Sequence, residues 1–161
     1  MLREIQSDIE AIRYDPGDGS ALEIPVKLRV YDSLFVPLAK WPMLIAGNYR
    51  CIRRDEMISI KDAVHGDLER SRAIYGWAGE LCMKLGADES DLVPFDKYAK
   101  AAQGLEKPSS AARALFSGAK NIERVDCLVR EIASQQGMRS EVVDEMVSLV
   151  DDRLEQNRAA G

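Results

Sequence analysis

Apolar positions along this chain recur mostly at helical spacing. Leu2, Ile5, Ile9 and Ile12 form an i, i+3, i+4 stripe that predicts a short amphipathic helix at the start. The turn cluster "DPGDGS" at 15–20 ends that region, with a short strand expected near residues 12–15 around Tyr14. From Ala21 to about Gly47 runs a long apolar segment interrupted by three prolines. Pro25 suits the first turn of a helix, whereas Pro37 and Pro42 remove backbone donors and predict kinks. Downstream, Val64, Leu68, Ile74, Trp77, Ala78, Leu81, Cys82 and Leu85 share one stripe. They predict a central helix from about Asp62 to Leu85, with Gly86 as its left-handed stop.

A shorter helix is expected around Phe95 to Gln103, with Pro94 near its start. "EKPSS" at 106–110 reads as a boundary in which Ser109 or Ser110 caps a helix running to about Phe116. Ile122, Val125, Leu128, Val129 and Ile132 define another helix that stops at Gly137. The last helix starts after Ser140 and buries Val143, Met146, Val147, Val150 and Leu154. Its opposite face carries Asp144, Asp151, Asp152, Arg153 and Glu155 and reads as solvated. The expected fold is all-α, about six to eight helices in a single helical domain over residues 21–161.

The charge balance narrows the partners. A net charge of −5 over 161 residues, with no basic run longer than Arg53-Arg54, argues against nucleic acid. No window approaches the roughly 18 consecutive apolar residues of a membrane span, and the opening "MLREIQSDIE" does not read as a signal peptide. A cytoplasmic location is expected. Cys51, Cys82 and Cys127 are widely spaced and odd in number, which argues for reduced, structural thiols.

The chemistry-bearing residues are sparse. His65 is the single histidine, too few for a histidine metal cage or a Ser-His-Asp triad, and a structural or surface role is expected for it. "PGDGSAL" at 16–22 has Gly17 and Gly19 but no third glycine, so it reads as a turn rather than a phosphate cradle. Trp77, Met83 and Met146 read as core. Lys40, between Pro37 and Pro42, sits seven residues after Ser33. On a continuous helix the two would share a face about 10 Å apart along the axis; the competing reading of Lys40 is a snorkelling surface lysine.

Several weak motifs occur in a fixed order: "LFVPLAKWPMLIAGNYRCI" at 34–52, a long helix, "KPSSAARALFSGAKNIERVDCLVREIASQQGM" at 107–138, and a final amphipathic helix. This order resembles the C-terminal helical domain of ketopantoate reductases (2-dehydropantoate 2-reductases), over roughly residues 25–158. Leu34, Val36, Pro42 and Asn48 fit that family's cleft helix. Pro108, Ser109, Ser110, Gly137 and Met138 fit its second conserved-pattern segment. The resemblance implies that Ser109 contacts substrate, that Asn48 and Ser33 lie in the cleft, and that the family's acidic pair falls near Asn121 and Glu123, or in another register on Glu123 and Asp126. The family's catalytic lysine falls on Ser33, and its two asparagines on Pro37 and Trp41. A 2-oxo group accepting hydride needs a donor where the alkoxide forms, which leaves Lys40 as the candidate replacement.

The resemblance also implies an NADPH-dependent oxidoreductase whose cofactor is bound mainly by a Rossmann-type domain, in the same full-length protein or on a separate chain. No such domain fits ahead of residue 25, and residues 1–20 read as its end or as the linker. On this reading the 161 residues do not turn over substrate alone. Trp41, Met43 and Leu44 are candidates for a docking face that also permits a homodimer. The competing expectation is a non-enzymatic all-α interaction or dimerisation module, motivated by the loss of the lysine and both asparagines.

Overall fold

The computed structural model describes residues 1–24, 28–31 and 33–160. Pro25 lies outside the described residues. Two compact units are present, Met1–Leu34 and Phe35–Gly161.

In the first unit, α1 (Leu2–Ala11) is followed by a two-stranded antiparallel hairpin, β1 (Arg13–Tyr14) and β2 (Leu22–Glu23), with Tyr14 opposite Leu22. The connecting turn depends on side-chain acceptors. Asp15 Oδ1 accepts from the backbone N–H of Gly17 at 2.7 Å and of Gly19 at 3.2 Å. Both glycines have positive φ, 99° and 78°, a region that excludes most side chains. The expected strand near Tyr14 is therefore present. The amphipathic stripe of α1 buries none of its residues.

The second unit is a helical bundle. An irregular helical run over residues 36–51 contains α2 (Lys40–Met43). After it come α3 (Ile60–His65), α4 (Leu68–Lys84), α5 (Phe95–Ala102), α6 (Ser110–Phe116), α7 (Val125–Gln135) and α8 (Glu141–Ala159). With eight α-helices and one minimal hairpin among the described residues, the fold is all-α. No described helix is long and apolar enough to cross a membrane.

The later helices follow their sequence signals in part: α7 starts only at Val125, which leaves Ile122 ahead of it, and Leu128 is 48% exposed rather than on the buried face. The α8 stripe of Val143, Met146, Val147, Val150 and Leu154 is buried as expected. Gly86 and Gly137 stop α4 and α7 with φ of 108° and 70°. The expected helix from Asp62 to Leu85 is instead broken in two: α3 ends at His65, and Asp67 caps α4 by accepting from the Arg70 N–H at 2.9 Å. Asp67 is a preferred capping residue, and capping a new start satisfies a donor that a continuous helix would not leave open. His65 is structural, with Nε2 2.9 Å from the Ala99 carbonyl of α5. Trp77 packs against the core and Met146 lies within it, but Met83 is 43% exposed, on the opposite side of α4 from the buried stripe.

The run over 36–51 sits at the centre and packs against α3, α4, α6 and α7. Its pitch changes three times: a tight 3-10 turn at Val36–Ala39, α2, a wide π turn at Leu44–Asn48 and a second 3-10 turn at Tyr49–Cys51. Pro37 is placed within the first turn, where its missing N–H costs nothing. Pro42 lacks the N–H that would bond the Leu38 carbonyl in an α-helix. The Cys82 thiol of α4 donates to that carbonyl instead, at 3.5 Å. At the other end, the Ile52 N–H goes to Tyr49 O, so Asn48 O loses its α-helical donor. Ser109 Oγ supplies one at 2.7 Å. Tyr98 Oη of α5 donates to Met43 O at 3.1 Å. Half-buried carbonyls along the irregular run are thus met by side chains from neighbouring helices.

Gly47 makes this packing possible. It is buried, and a Cβ there would overlap the Tyr98 hydroxyl. In an unobstructed helix Gly→Ala stabilises by about 1 kcal/mol. Here Gly47→Ala is expected to destabilise by about 1–3 kcal/mol, the cost typical of overpacking, as measured by urea denaturation. A stabilised variant would show that the contact with Tyr98 does not constrain the segment.

Candidate functional site

The wide turn at Leu44–Asn48 brings Asn48 to the surface beside the start of α6 and the segment before α7. A groove of about 320 Å³ forms there, lined by Leu44, Asn48, Tyr49, Ser110, Asn121, Glu123 and their apolar neighbours. A second groove of about 470 Å³ shares Asn48 and Ser110 with the first and adds Lys107, Ser109 and Arg113. Among the described residues, Glu123 is the one charged residue of the first groove. The second is lined by the cations Lys107 and Arg113 and by Glu106.

Each wall is fixed by a specific contact. Tyr49 is 3% exposed and forms the floor of the first groove. Its hydroxyl donates to Glu123 O at 2.6 Å and accepts from the Val125 N–H at 3.0 Å. These two bonds hold the 123–125 backbone against the central run. Burial, the largest cause, pushes the Tyr49 phenol up to about 12. Behind this wall Asp126, fully buried, accepts both arms of Arg124, at 3.0 and 2.9 Å. Arg124 also donates to Asp151 of α8 at 2.5 Å. Burial works against the Arg124 charge, but the bonds to Asp126 and Asp151 outweigh it and raise its pKa. Asp151 is therefore an anchor between α7 and α8 and not simply part of a solvated face. Its neighbour Arg153 lies 3.9 Å above the Phe116 ring.

The other wall is carried by α8. Asn157 Nδ2 donates to the carbonyls of Leu115 and Ala119 at 2.8 and 2.9 Å, closing the end of α6. Arg158 donates to Lys120 O at 3.0 Å and approaches Asn121 Oδ1 at 3.4 Å. The Asn121 side chain is thereby oriented from outside the groove.

Among the sequence-derived site residues, Asn48, Asn121 and Glu123 come together in the first groove, and Ser109 lies beside them on the second. Ser109 is 3% exposed. Its Oγ accepts from the Ala112 N–H at 3.1 Å as the cap of α6 while donating to Asn48 O. It connects the groove to α6 through the backbone. Lys40 is exposed at the start of α2 and lines neither groove. The backbone from Ser33 to Lys40 is a bend followed by a 3-10 turn, so the shared helical face inferred from their seven-residue spacing does not exist. Ser33 belongs to the first unit. Trp41, Met43 and Leu44 pack partly buried against the core, and Leu44 also lines the groove.

The described glycine turn does not suit a dinucleotide. Asp15 already occupies the Gly17 and Gly19 N–H groups, and Asp18 accepts from Ser20 N–H at 2.9 Å. Two carboxylates stand where a phosphate would need donors.

The tight packing around the grooves sets a pH limit. Burial raises Tyr49 and Tyr75 from 10 to about 12, and Cys82 from 9 to about 11. A raised folded-state pKa means that the neutral form is favoured by folding. The contribution is complete below the unfolded values and is lost as pH rises through the folded ones. Urea denaturation is expected to show stability falling as pH rises from about 9 to about 12. An unchanged stability over that window would contradict the enclosure of these groups.

Comparison of the chain with known protein families, with curated proteins and with solved structures finds no match.

Proposed function

We propose that this chain is the substrate-binding and closure domain of a ketopantoate-reductase-like, NADPH-dependent oxidoreductase acting on a small 2-oxo acid in the cytoplasm. The observation that supports the reading is the convergence of Asn48 with Asn121 and Glu123 on one groove, from positions over 70 residues apart in sequence. Two amides and a carboxylate offer both donors and acceptors to a small polar ligand. Lys107 and Arg113 on the adjoining groove supply positive charge for its carboxylate. Since the glycine turn does not suit the cofactor, NADPH would be held by a Rossmann-type domain, in the full-length protein or on a second chain.

One observation favours the second reading, a non-enzymatic all-α interaction or dimerisation module. No cation lines the first groove, and Lys40 is outside both. Hydride reduction of a 2-oxo group would therefore lack a cation beside the forming alkoxide in the first groove. The two readings part at ligand binding.

The test is an NMR titration of the ¹⁵N-labelled chain with a panel of 2-oxo acids, following the side-chain amides of Asn48 and Asn121. The expected result is a saturable shift of both with at least one 2-oxo acid, weakened about tenfold in Asn121→Ala, which corresponds to the loss of one well-made hydrogen bond. No saturable shift across the panel would remove the substrate-domain reading and leave the interaction module.

A further inference from the structure

A different region of the second unit carries an unusual charge arrangement. Arg50 is only 8% exposed, yet it has no carboxylate partner among the described residues. Its Nη1 donates to Ser71 Oγ and, at 3.4 Å, to Ala46 O. The single hydroxyl hydrogen of Ser71 is shared between the carbonyls of Val64 and Asp67, 2.8 and 2.7 Å away, so its oxygen is left as an acceptor for Arg50. An enclosed guanidinium without a counter-charge is costly. Burial, followed by the like charges of Arg70 and Arg53, lowers the Arg50 pKa.

The remaining nitrogens of Arg50, Nε and Nη2, make no hydrogen bond. Every fully enclosed side-chain nitrogen or oxygen among the described residues has a partner. Nε and Nη2 are therefore not fully enclosed. Arg50 also lines a cavity of about 60 Å³, together with Arg53, Arg70, Tyr49, Glu145 and four apolar side chains. That is room for a few water molecules, the scale of one phosphoryl group and not of a nucleotide.

We propose that this cavity is an oxyanion site in which Arg50, Arg53 and Arg70 hold one phosphoryl-sized dianion. The surrounding charge fits a dianion: three guanidiniums against the single carboxylate of Glu145. Glu145 reaches Arg70 at 3.5 Å, with side chains 67% and 46% exposed, a surface pair that gives way readily. Asp67 also lies nearby, but its carboxylate caps α4 through the Arg70 N–H. Arg53 is exposed, without an ion-pair partner among the described residues. Its position is set by the tight turn in which Arg53 N–H bonds Glu56 O at 3.0 Å and Ile58 N–H bonds Cys51 O at 2.9 Å. Guanidiniums present paired N–H groups that match the oxygens of a phosphate. The buried Arg50 supplies a preorganised donor, and the two outer arginines close over the ligand. The cavity shares Tyr49 with the Asn48 groove and none of its polar ligand-facing residues.

The test uses the complete chain with inorganic phosphate, and adenosine 5′-monophosphate as a phosphoryl group on a larger body. Thermal unfolding is followed against sodium chloride at matched ionic strength. Phosphate also stabilises proteins by exclusion from their surfaces, so the decisive quantity is the difference between the native chain and Arg53→Gln/Arg70→Gln. Both outer arginines are largely exposed, and the variant is expected to fold where Arg50→Met need not. The expected result is a saturable rise in Tm with phosphate in the native chain, and at least a tenfold weaker apparent affinity in the variant. ³¹P line broadening should be lost in the same variant. Stronger binding of the nucleotide would assign the site to a phosphoryl group on a larger ligand, and stronger binding of phosphate to the free ion. Identical responses of native chain and variant to both compounds would overturn the proposal.

Discussion

The helical domain depends on one constraint: a buried helical segment that changes pitch must still pair its backbone carbonyls. Residues 36–51 pass from 3-10 to α to π and back to 3-10 turns in the middle of the bundle. Pro42 deprives Leu38 O of its regular donor, and the final tight turn does the same to Asn48 O. The carbonyls concerned are half-buried, where an unpaired backbone group is costly. Cys82, Tyr98 and Ser109 provide partners from α4, α5 and the cap of α6. Each bond ties a different helix to the same segment.

The candidate site is a consequence of that arrangement. The wide turn at Leu44–Asn48 places Asn48 outward while keeping Ile45, Ala46 and Gly47 buried. Tyr49, one residue later, points its hydroxyl at the 123–125 backbone and thereby sets the opposite wall. The next residue, Arg50, turns inward to Ser71 and also lines the charged cavity. Three consecutive residues therefore serve a groove, a structural clamp and a charged cavity. Small polar sites on rigid, cross-braced elements hold their geometry better than sites on free loops.

What sequence reading captured was the regular part. The α8 stripe and the glycine stops at Gly86 and Gly137 follow from periodicity and from the conformational demands of positive φ. The cap at Ser109 was legible because a serine after proline and ahead of an apolar run is a local signal. The grouping of Asn48, Asn121 and Glu123 was accessible only through a family resemblance, since no local rule brings residues so distant together. The pitch changes were not legible: Pro42 signals a kink, but whether the chain bends, widens or ends depends on donors from α4, α5 and α6. The same non-locality applies to Lys40: its seven-residue spacing from Ser33 predicts a shared face only on a continuous helix, and none runs between them. Arg50 escaped because arginine is ordinarily exposed, and its burial follows from where Ser71 and Ala46 sit in space. The break at Gly66 and Asp67 had a signal, a capping aspartate, that the uninterrupted apolar stripe outweighed.

Hydrogen exchange at the amides of residues 44–52, compared between the native chain and Ser109→Ala, bears most directly on the claim that side-chain bonds hold the irregular segment. If they do, these amides exchange in the native chain only through global unfolding, together with the α8 core. In the variant their protection then falls as a group, because Asn48 O has lost its donor. Rapid exchange of residues 44–52 in the native chain, separate from global unfolding, would show a locally opening segment and contradict the account.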